Sequence, residues 1–401
     1  MNVAVLGFGV VGSGTVEVLD KNSEKIASSA GEEIKVTQIL DIRDFPDSIY
    51  KDLFVKDFET IEKDPNVNVV VETIGGIGAA YEFTRRSLEA GKSVVTSNKE
   101  LVATHGHELL KLAEEKGVNY LFEASVGGGI PIIRPMVQCI AANHITEVYG
   151  IVNGTTNYIL TEMEKKGAEF SAALEDAQKK GYAESDPSAD IDGHDACRKI
   201  CILSSLAFGK HVYSQYVPTE GISSVSTNDM RFADDLACRI KLLVRSRVVG
   251  DKIAVYVAPH LVSYENLLSG VNGVMNGIVV RGNAVGDLLF YGAGAGKMPT
   301  ASAIVADIID AVKHVDSHKL IGWEEGDANN MSDPTLLESA WYIRTTADKK
   351  TIANEFGEVI FAGEIGSETA FKTINMSGKK VKDILNRGIP ALSLFRVLGD
   401  Y

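Results

Sequence analysis

Short β-branched runs alternate with amphipathic stretches through the opening part of the chain. Residues 2–19 read NVAVLGFGVVGSGTVEVL: an apolar strand, a glycine turn, then a helix with its apolar positions on one face. IKVTQILDI (34–42), VNVVVET (67–73), KSVVTSN (92–98) and VNYLFEA (118–124) follow, with the helical patterns YEFTRRSLEAG and ATHGHELLKLAEEKG between the later ones. Strands alternating with helices predict βαβ units and a parallel sheet. Their near-continuous apolar character predicts a sheet covered on both faces.

The pattern changes from about residue 133. Ile145–Val152 and Arg239–Val257 hold extended β-branched runs, with helical segments such as AEFSAALEDAQKKG between them. A mostly antiparallel sheet with helices is the expectation. A helical pattern returns in PTASAIVADIIDAVKH (299–314) and is expected to pack back on the first domain. WEEGDANNMSD (323–333) is polar and acidic, which suits a linker. The last segment reads strand (ESAWYIRTTA), helix (KKTIANEFG), strands (EVIFAGE, TAFKTINM), helix (GKKVKDILNRG), strand (ALSLFRVLG). That βαββαβ order is ferredoxin-like. The expected domains are therefore 1–132 plus about 299–320, then 133–298, a linker at 321–335, and 336–401.

Length and composition narrow the class. A chain of 401 residues is too long for one ordinary core, so two or three domains are expected. No apolar stretch reads as membrane-spanning, and Met1 leads straight into a strand pattern without room for a signal peptide. A cytoplasmic protein is expected. The net charge of −14 argues against a nucleic-acid partner or an anionic membrane surface, both of which reward basic patches. The four cysteines (Cys139, Cys197, Cys201, Cys238) form no CxxC pair. Cys197 and Cys201 would share a helix face, but no His or Cys nearby completes a tetrahedral set, so small core residues are the better reading.

Candidate chemistry begins at Gly7-Phe8-Gly9-Val10-Val11-Gly12, a GxGxxG turn between a predicted strand and a predicted helix. Glycine suits a tight turn whose backbone approaches a pyrophosphate, and the helix N-terminus offers free N–H groups to it. Asp41 at the tip of the second strand suits the ribose hydroxyls of NAD, whereas Arg43 suits the 2′-phosphate of NADP. The sequence supplies both, with a slight lean to NADP. Lys99, after VVTSN, is either a carbonyl-polarising lysine or a surface lysine opening the next helix. The turn EASVGGGIP (123–131) either wraps a hard cation in oxygen ligands or serves as a hinge between domains. Gly292–Gly296, GAGAG, approaches a cofactor or only permits close packing.

One stretch is densest in charge. GYAESDPSADIDGHDACRK (181–199) carries Glu184, Asp186, Asp190, Asp192 and Asp195, and closes on Arg198 and Lys199. Asp195 and Lys199 are four apart on a predicted helix and face the same way. Such a pair is usually a surface salt bridge. His194, beside them, reads as a lining or packing residue, and no other histidine forms a metal spacing with the carboxylates.

Taken in order, GFGVVG (7–12), VVTSNKELVA (94–103), EASVGGGIPII (123–133), GIVNGTTNYIL (150–160), GYAESDPSADIDGHDACRK (181–199), FADDLACRIKLL (232–243) and GDLLFYGAGAGKMPTASAIVADI (286–308) closely resemble the homoserine dehydrogenase family over about residues 1–320. The resemblance implies an α/β fold: an N-terminal Rossmann-type nucleotide-binding domain, an α+β catalytic and dimerisation domain, and a C-terminal ferredoxin-like (ACT-like) domain. It implies reversible NAD(P)-dependent interconversion of L-aspartate 4-semialdehyde and L-homoserine, in threonine, methionine and isoleucine biosynthesis. The partners implied are that small-molecule substrate and other copies of the chain, as a homodimer or higher homo-oligomer.

Position by position, the resemblance gives the cofactor to Gly7, Phe8, Gly9, Val10, Val11, Gly12, Thr73, Ile74 and Gly296; Lys99 joins them, as does Arg43 from its place at the tip of the second strand. Lys99 and Lys199 match two lysines around the reacting carbon; Lys199 is assigned proton transfer and Asp195 its orientation. Glu184, Asp190, Asp195 and Lys199 match substrate-side positions, which returns Asp186 and Asp192 to loop and helix-start roles. Glu123, Val126, Gly128 and Ile130 match the ligands of a structural sodium ion, three of them through backbone oxygens. At the C-terminus the glycine-rich effector turn of an ACT domain is replaced by Asp348-Lys349-Lys350-Thr351, which puts amino-acid feedback there in doubt. Two rivals share the cofactor turn. An acylating semialdehyde dehydrogenase needs a nucleophilic cysteine with a paired base, which none of the four offers. A cofactor-sensing regulator would bind NAD(P)H without turnover.

Overall fold

The structure is a computed structural model that describes residues 1–315, 317–319 and 321–399. Positions 316, 320, 400 and 401, which fall in two of the expected segments, lie outside the described residues. Contacts gather the chain into two units. Met1–His144, Cys201–Ser214 and Gly292–Gly326 make the first; Ile145–Ile200, Gln215–Tyr291 and the chain from Asp327 onward make the second.

In the first unit the β-branched runs become six short strands: β1 (Asn2–Leu6), β2 (Lys35–Leu40), β3 (Phe54–Val55), β4 (Val67–Glu72), β5 (Ser93–Thr96) and β6 (Tyr120–Leu121). They lie in the order β3-β2-β1-β4-β5-β6, every pair parallel. This is the doubly wound dinucleotide-binding order. Its ligand crevice lies outside the carboxyl ends of the strands, where the chain turns opposite ways after β1 and β4. The Lys297–Lys313 helix brings Ala301, Ile304 and Ile308 into the same core as Val3, Val5, Val16 and Leu19. Gly14 makes that approach possible, because a Cβ there would lie 2.9 Å from Lys297 Cγ and 3.0 Å from the Lys297 carbonyl oxygen.

The boundaries differ from the expectation for identifiable reasons. Residues 133–144 stay with the first unit, where the Glu123 carboxylate binds the N–H groups of Ile132, Ile133 and Arg134, and Arg134 pairs with Asp307. The expected linker is not a free one. Trp323 is buried and its Nε1–H donates to His211 Nδ1 at 2.8 Å, while His211 Nε2–H donates to the Ala103 carbonyl at 2.9 Å. Beyond 326 the strap belongs to the second unit, where the Ser332 N–H donates to the Ile253 carbonyl at 2.8 Å.

The second unit holds one mixed ten-stranded sheet: β7 (Ile145–Ile151), β8 (Cys238–Val249), β9 (Lys252–Ser263), β10 (Met275–Gly282), β11 (Gly286–Ala293), β12 (Glu338–Thr345), β13 (Val359–Ile365), β14 (Glu368–Thr373), β15 (Met376–Ser377) and β16 (Ser393–Leu398). The order is β11-β10-β7-β8-β9-β16-β12-β14-β13, with β15 beside β12. The C-terminal segment expected as a separate domain is therefore not separate. Its strands run antiparallel in the order β16-β12-β14-β13, and β16 then pairs in parallel with β9, Arg396 opposite His260. Asp229 secures the join. Fully buried on the Thr227–Asp235 helix, it accepts Arg344 Nε–H at 2.8 Å, Tyr342 O–H at 2.9 Å and Ser393 O–H at 3.0 Å.

Candidate active site

The glycine turn follows β1 and leads into the Val10–Lys21 helix. Each glycine has its own reason. Gly7 sits at φ +90°, in the region that excludes most side chains. A Cβ on Gly12 would fall 1.9 Å from the Gly7 carbonyl oxygen. A Cβ on Gly9 would meet nothing within 4 Å, so its hydrogen leaves open space beside the helix N-terminus, where a pyrophosphate belongs. Thr73 Oγ1–H donates to the carbonyls of Leu6 and Gly7 at 2.9 and 3.0 Å and locks the turn to the end of β4. Val10 is 69% exposed, and Ile74 is exposed as well, at the carboxyl end of the sheet.

Asp41 and Arg43 do not compete at the tip of β2; they are paired. Asp41 Oδ1 accepts the Arg43 backbone N–H at 2.9 Å and Nε–H at 3.0 Å, while Oδ2 accepts Arg43 Nη2–H at 2.9 Å and the Phe8 N–H at 2.7 Å. The guanidinium beside it holds the Asp41 carboxyl well below the usual carboxylate range. Four donors fill a carboxylate's lone-pair capacity. Asp41 is buried, whereas the Arg43 side chain is 58% exposed.

At the next two strand ends, buried Glu72 accepts Thr96 O–H at 2.6 Å and the Ile74 N–H at 2.7 Å, and burial pushes its carboxyl upward. Asn98 caps the Lys99–Lys116 helix by accepting the Leu101 N–H at 3.1 Å, so Lys99 is that helix's first residue, half-buried. Gly296, at φ +125°, precedes the Lys297–Lys313 helix in the same unit.

The second glycine turn is buried at Glu123, Val126, Gly128 and Ile130. The Glu123 carboxylate is committed to backbone: Oε1 accepts the N–H groups of Ile132 at 2.6 Å and Ile133 at 2.8 Å, and Oε2 that of Arg134 at 2.8 Å. Three of that carboxylate's acceptor positions are thereby taken by backbone. Gly128, at φ +57°, lies against 293–295, where a Cβ would be 2.4 Å from the Gly294 carbonyl oxygen. Among the described residues no cluster of three His, Cys, Asp or Glu side chains is placed to hold a metal.

In the second unit the charge-dense stretch resolves into unequal parts. Glu184 is exposed on a loop pinned at Tyr182, whose carbonyl accepts Thr155 O–H at 2.6 Å; Gln178 Nε2–H donates to the Glu184 carbonyl at 3.0 Å. Asp186 closes a turn just ahead of the Ser188–Ile191 helix, accepting the Ser188 N–H at 3.1 Å, while Asp192 and His194 are exposed. Asp195 and Lys199, on the His194–Phe208 helix, are 5% and 7% exposed, and their charged groups meet at 2.8 Å. Lys199 Nζ–H also donates to the Val152 carbonyl at 2.8 Å, at the end of β7.

Asn153, in GIVNGTTNYIL, is the residue that the sequence pattern did not single out. Its Nδ2 donates to Asp190 Oδ1 at 2.6 Å and to Asp195 Oδ2 at 2.9 Å. The structure thus joins Asp190, Asp195 and Lys199 through Asn153 and the end of β7, with Glu184 outside that network. The N-G-T-T sequence after a strand signals a capped helix start, but a link to two distant carboxylates is tertiary information.

These features match known proteins along most of the chain. The family model described as Homoserine dehydrogenase, NAD binding domain, matches residues 7–123, and the one described as Homoserine dehydrogenase matches residues 131–309. A homoserine dehydrogenase of Neisseria gonorrhoeae is 45% identical over 361 residues, 86% of this chain and 82% of that protein. One from Pseudomonas aeruginosa is 42% identical over 360 residues, with the same coverage of 86% and 82%. The crystal structure of a homoserine dehydrogenase from Thiobacillus denitrificans superposes with a TM-score of 0.89 at 35% identity, covering 99% of this chain and 98% of that one. A hyperthermophilic archaeal homoserine dehydrogenase in complex with NADPH superposes with a TM-score of 0.65 at 30% identity, over 77% of this chain and 97% of that one. Sequence likeness through both halves, together with a structural match over nearly the whole chain, means that the chain belongs to the homoserine dehydrogenase family.

Proposed function

We propose that the chain catalyses the reversible, NAD(P)-dependent interconversion of L-aspartate 4-semialdehyde and L-homoserine, with Lys199 as the proton-transfer group. The buried Lys199–Asp195 pair carries the reading. A buried ion pair is weak evidence for a stabilising role, and a lysine held out of water by one carboxylate and a strand-end carbonyl is suited to proton transfer. The nicotinamide cofactor, when bound, supplies or takes up the hydride. In the reductive direction the Lys199 ammonium stabilises the alkoxide that develops on the substrate and donates its proton to it. In the oxidative direction neutral Lys199 accepts the hydroxyl proton. Asp195 and the Val152 carbonyl aim the ammonium, Lys99 helps polarise the substrate oxygen, and Glu184 and Asp190 recognise the substrate, Glu184 through its amino group.

Gly7, Phe8, Gly9, Val10, Val11, Gly12, Thr73, Ile74 and Gly296 hold the cofactor in this reading. Arg43 reaches the 2′-phosphate, because Asp41 has its acceptor sites filled; that favours NADP with NAD tolerated. A sodium ion is held by Glu123, Val126, Gly128 and Ile130, three of them through backbone oxygens. The enzyme works in the cytoplasm as a homodimer or larger homo-oligomer. The C-terminal strands and helices serve as an ACT-like element in which the usual glycine-rich effector turn is replaced by a helix cap, Asp348 holding Thr351 through both carboxylate oxygens.

Absorbance at 340 nm with L-homoserine and each cofactor tests the reaction. Homoserine-dependent reduction of NADP or NAD is expected. Cofactor binding without turnover would favour a regulator, and phosphate-dependent turnover lost on thiol alkylation would favour the acylating dehydrogenase.

A further inference from the structure

Asn153 precedes the Gly154–Lys166 helix, and its side chain acts in two directions. Oδ1 accepts the Thr156 N–H at 2.8 Å and Thr156 O–H at 3.0 Å, which caps the helix. A backbone N–H needs an acceptor, so the amide cannot be turned around. Nδ2 therefore faces the carboxylates, one hydrogen for Asp190 Oδ1 at 2.6 Å and one for Asp195 Oδ2 at 2.9 Å. Asp195 Oδ2 is the same oxygen that meets Lys199 Nζ at 2.8 Å, and the second acceptor of Lys199 is the carbonyl of Val152, the neighbouring residue in the chain.

We propose that Asn153 is a positioning residue for the reaction: a neutral amide that clamps Asp190 and Asp195 to one nitrogen and so fixes the acceptor that aims Lys199. The inference rests on the role given to Lys199 above. Two carboxylates within reach of a single nitrogen repel each other. Without the shared donor they separate, or one takes up a proton. Either change moves the negative charge that holds the ammonium in place. Charged groups at the amide include Asp190 on the Ser188–Ile191 helix and Asp195 and Lys199 on the His194–Phe208 helix.

Two variants separate this role from helix capping. Asn153→Ser keeps a capping oxygen but is too short to bridge the carboxylates. Asn153→Asp keeps the capping oxygen and the shape, and replaces the NH2 donor with a third carboxylate. For Asn153→Ser we expect kcat to fall by about tenfold to a hundredfold while the cofactor KM stays within about twofold, because geometry is lost and the cofactor face is untouched. For Asn153→Asp we expect a similar loss of kcat, with the alkaline limb of the oxidation profile displaced upward, since added negative charge keeps Lys199 protonated. Wild-type kcat in folded Asn153→Ser would make Asn153 a cap and nothing more. Should that variant not fold, Asn153→Asp decides, and an unchanged kcat and pH profile there overturns the proposal. Near-normal turnover in Lys199→Ala would instead remove the assignment of Lys199, leaving the clamp to be judged on the Asn153 variants alone.

Discussion

Lys199 reaches back one helical turn to Asp195, 2.8 Å from ammonium to Oδ2, and neither side chain is open to solvent. The same spacing on an exposed helix would be worth a few tenths of a kcal/mol and could be lost unnoticed. Buried, it couples the two groups so that moving one moves the other.

Replacing Lys199 therefore costs more than replacing Lys99. Lys199→Ala is expected to lower kcat by about a hundredfold to ten-thousandfold, the usual range for a general acid–base. Lys99→Ala should retain more activity. Single-turnover reduction of the semialdehyde in each variant measures the difference. In the oxidative direction the lysine must be neutral, so the rate should rise with pH; a flat profile up to about pH 10, near the ordinary lysine pKa, would count against the assignment.

Cofactor choice is expected to reside in Arg43. It is held by Asp41 through Nε and Nη2, yet remains more than half exposed. Arg43→Ala should raise the KM for NADP by about tenfold to a hundredfold, the worth of a charge-assisted hydrogen bond, and change that for NAD far less. Equal losses with both cofactors would mean that Arg43 only steadies Asp41 and the Phe8 turn.

Lys241 predicts a pH dependence of stability. It is buried among neutral oxygens, 2.7 Å from the Val271 carbonyl, 3.0 Å from Asn272 Oδ1 and 3.1 Å from Asn157 Oδ1. Burial pushes its pKa down from 10.5 to about 8. Between those values the unfolded chain binds a proton that the native chain does not, so stability rises with pH there, by up to about 3 kcal/mol. The Tm of the wild type minus that of Lys241→Met should grow from about pH 8 to about pH 10.5. A constant difference would show that the ammonium is not disfavoured.

Asp229 should matter for folding rather than turnover. Asp229→Ala leaves buried Arg344 without the carboxylate at 2.8 Å and is expected to destabilise by about 3–5 kcal/mol. In denaturant the C-terminal strands should unfold together with the rest of the second sheet, because β16 pairs with β9 within it. A separate early transition for the C-terminal strands, with the remainder unchanged, would contradict that continuity.

The parallel sheet was legible because its strands are buried on both faces and its turn needs glycine. At Gly7 and Gly12 the backbone geometry itself forbids a side chain, and no distant residue has to be known to see it. The charge-dense stretch was legible only as a list of acids. Asp186 and Asp195 have the same chemistry in the sequence; one caps an exposed turn and the other is buried against a lysine. Asn153 gave no signal beyond a helix cap, and nothing in the sequence foretold that the Glu123 carboxylate accepts three backbone N–H groups.

The sequence by itself carried the family resemblance, through its ordered motifs, and the nucleotide-binding turn, and its local spacing put Asp195 and Lys199 on one helix face. Tertiary structure alone decided which carboxylates Asn153 joins, that Asp41 holds Arg43, and that the C-terminal strands extend the second sheet. Those outcomes depend on burial and on which groups packing turns toward one another, and both are properties of the packed molecule.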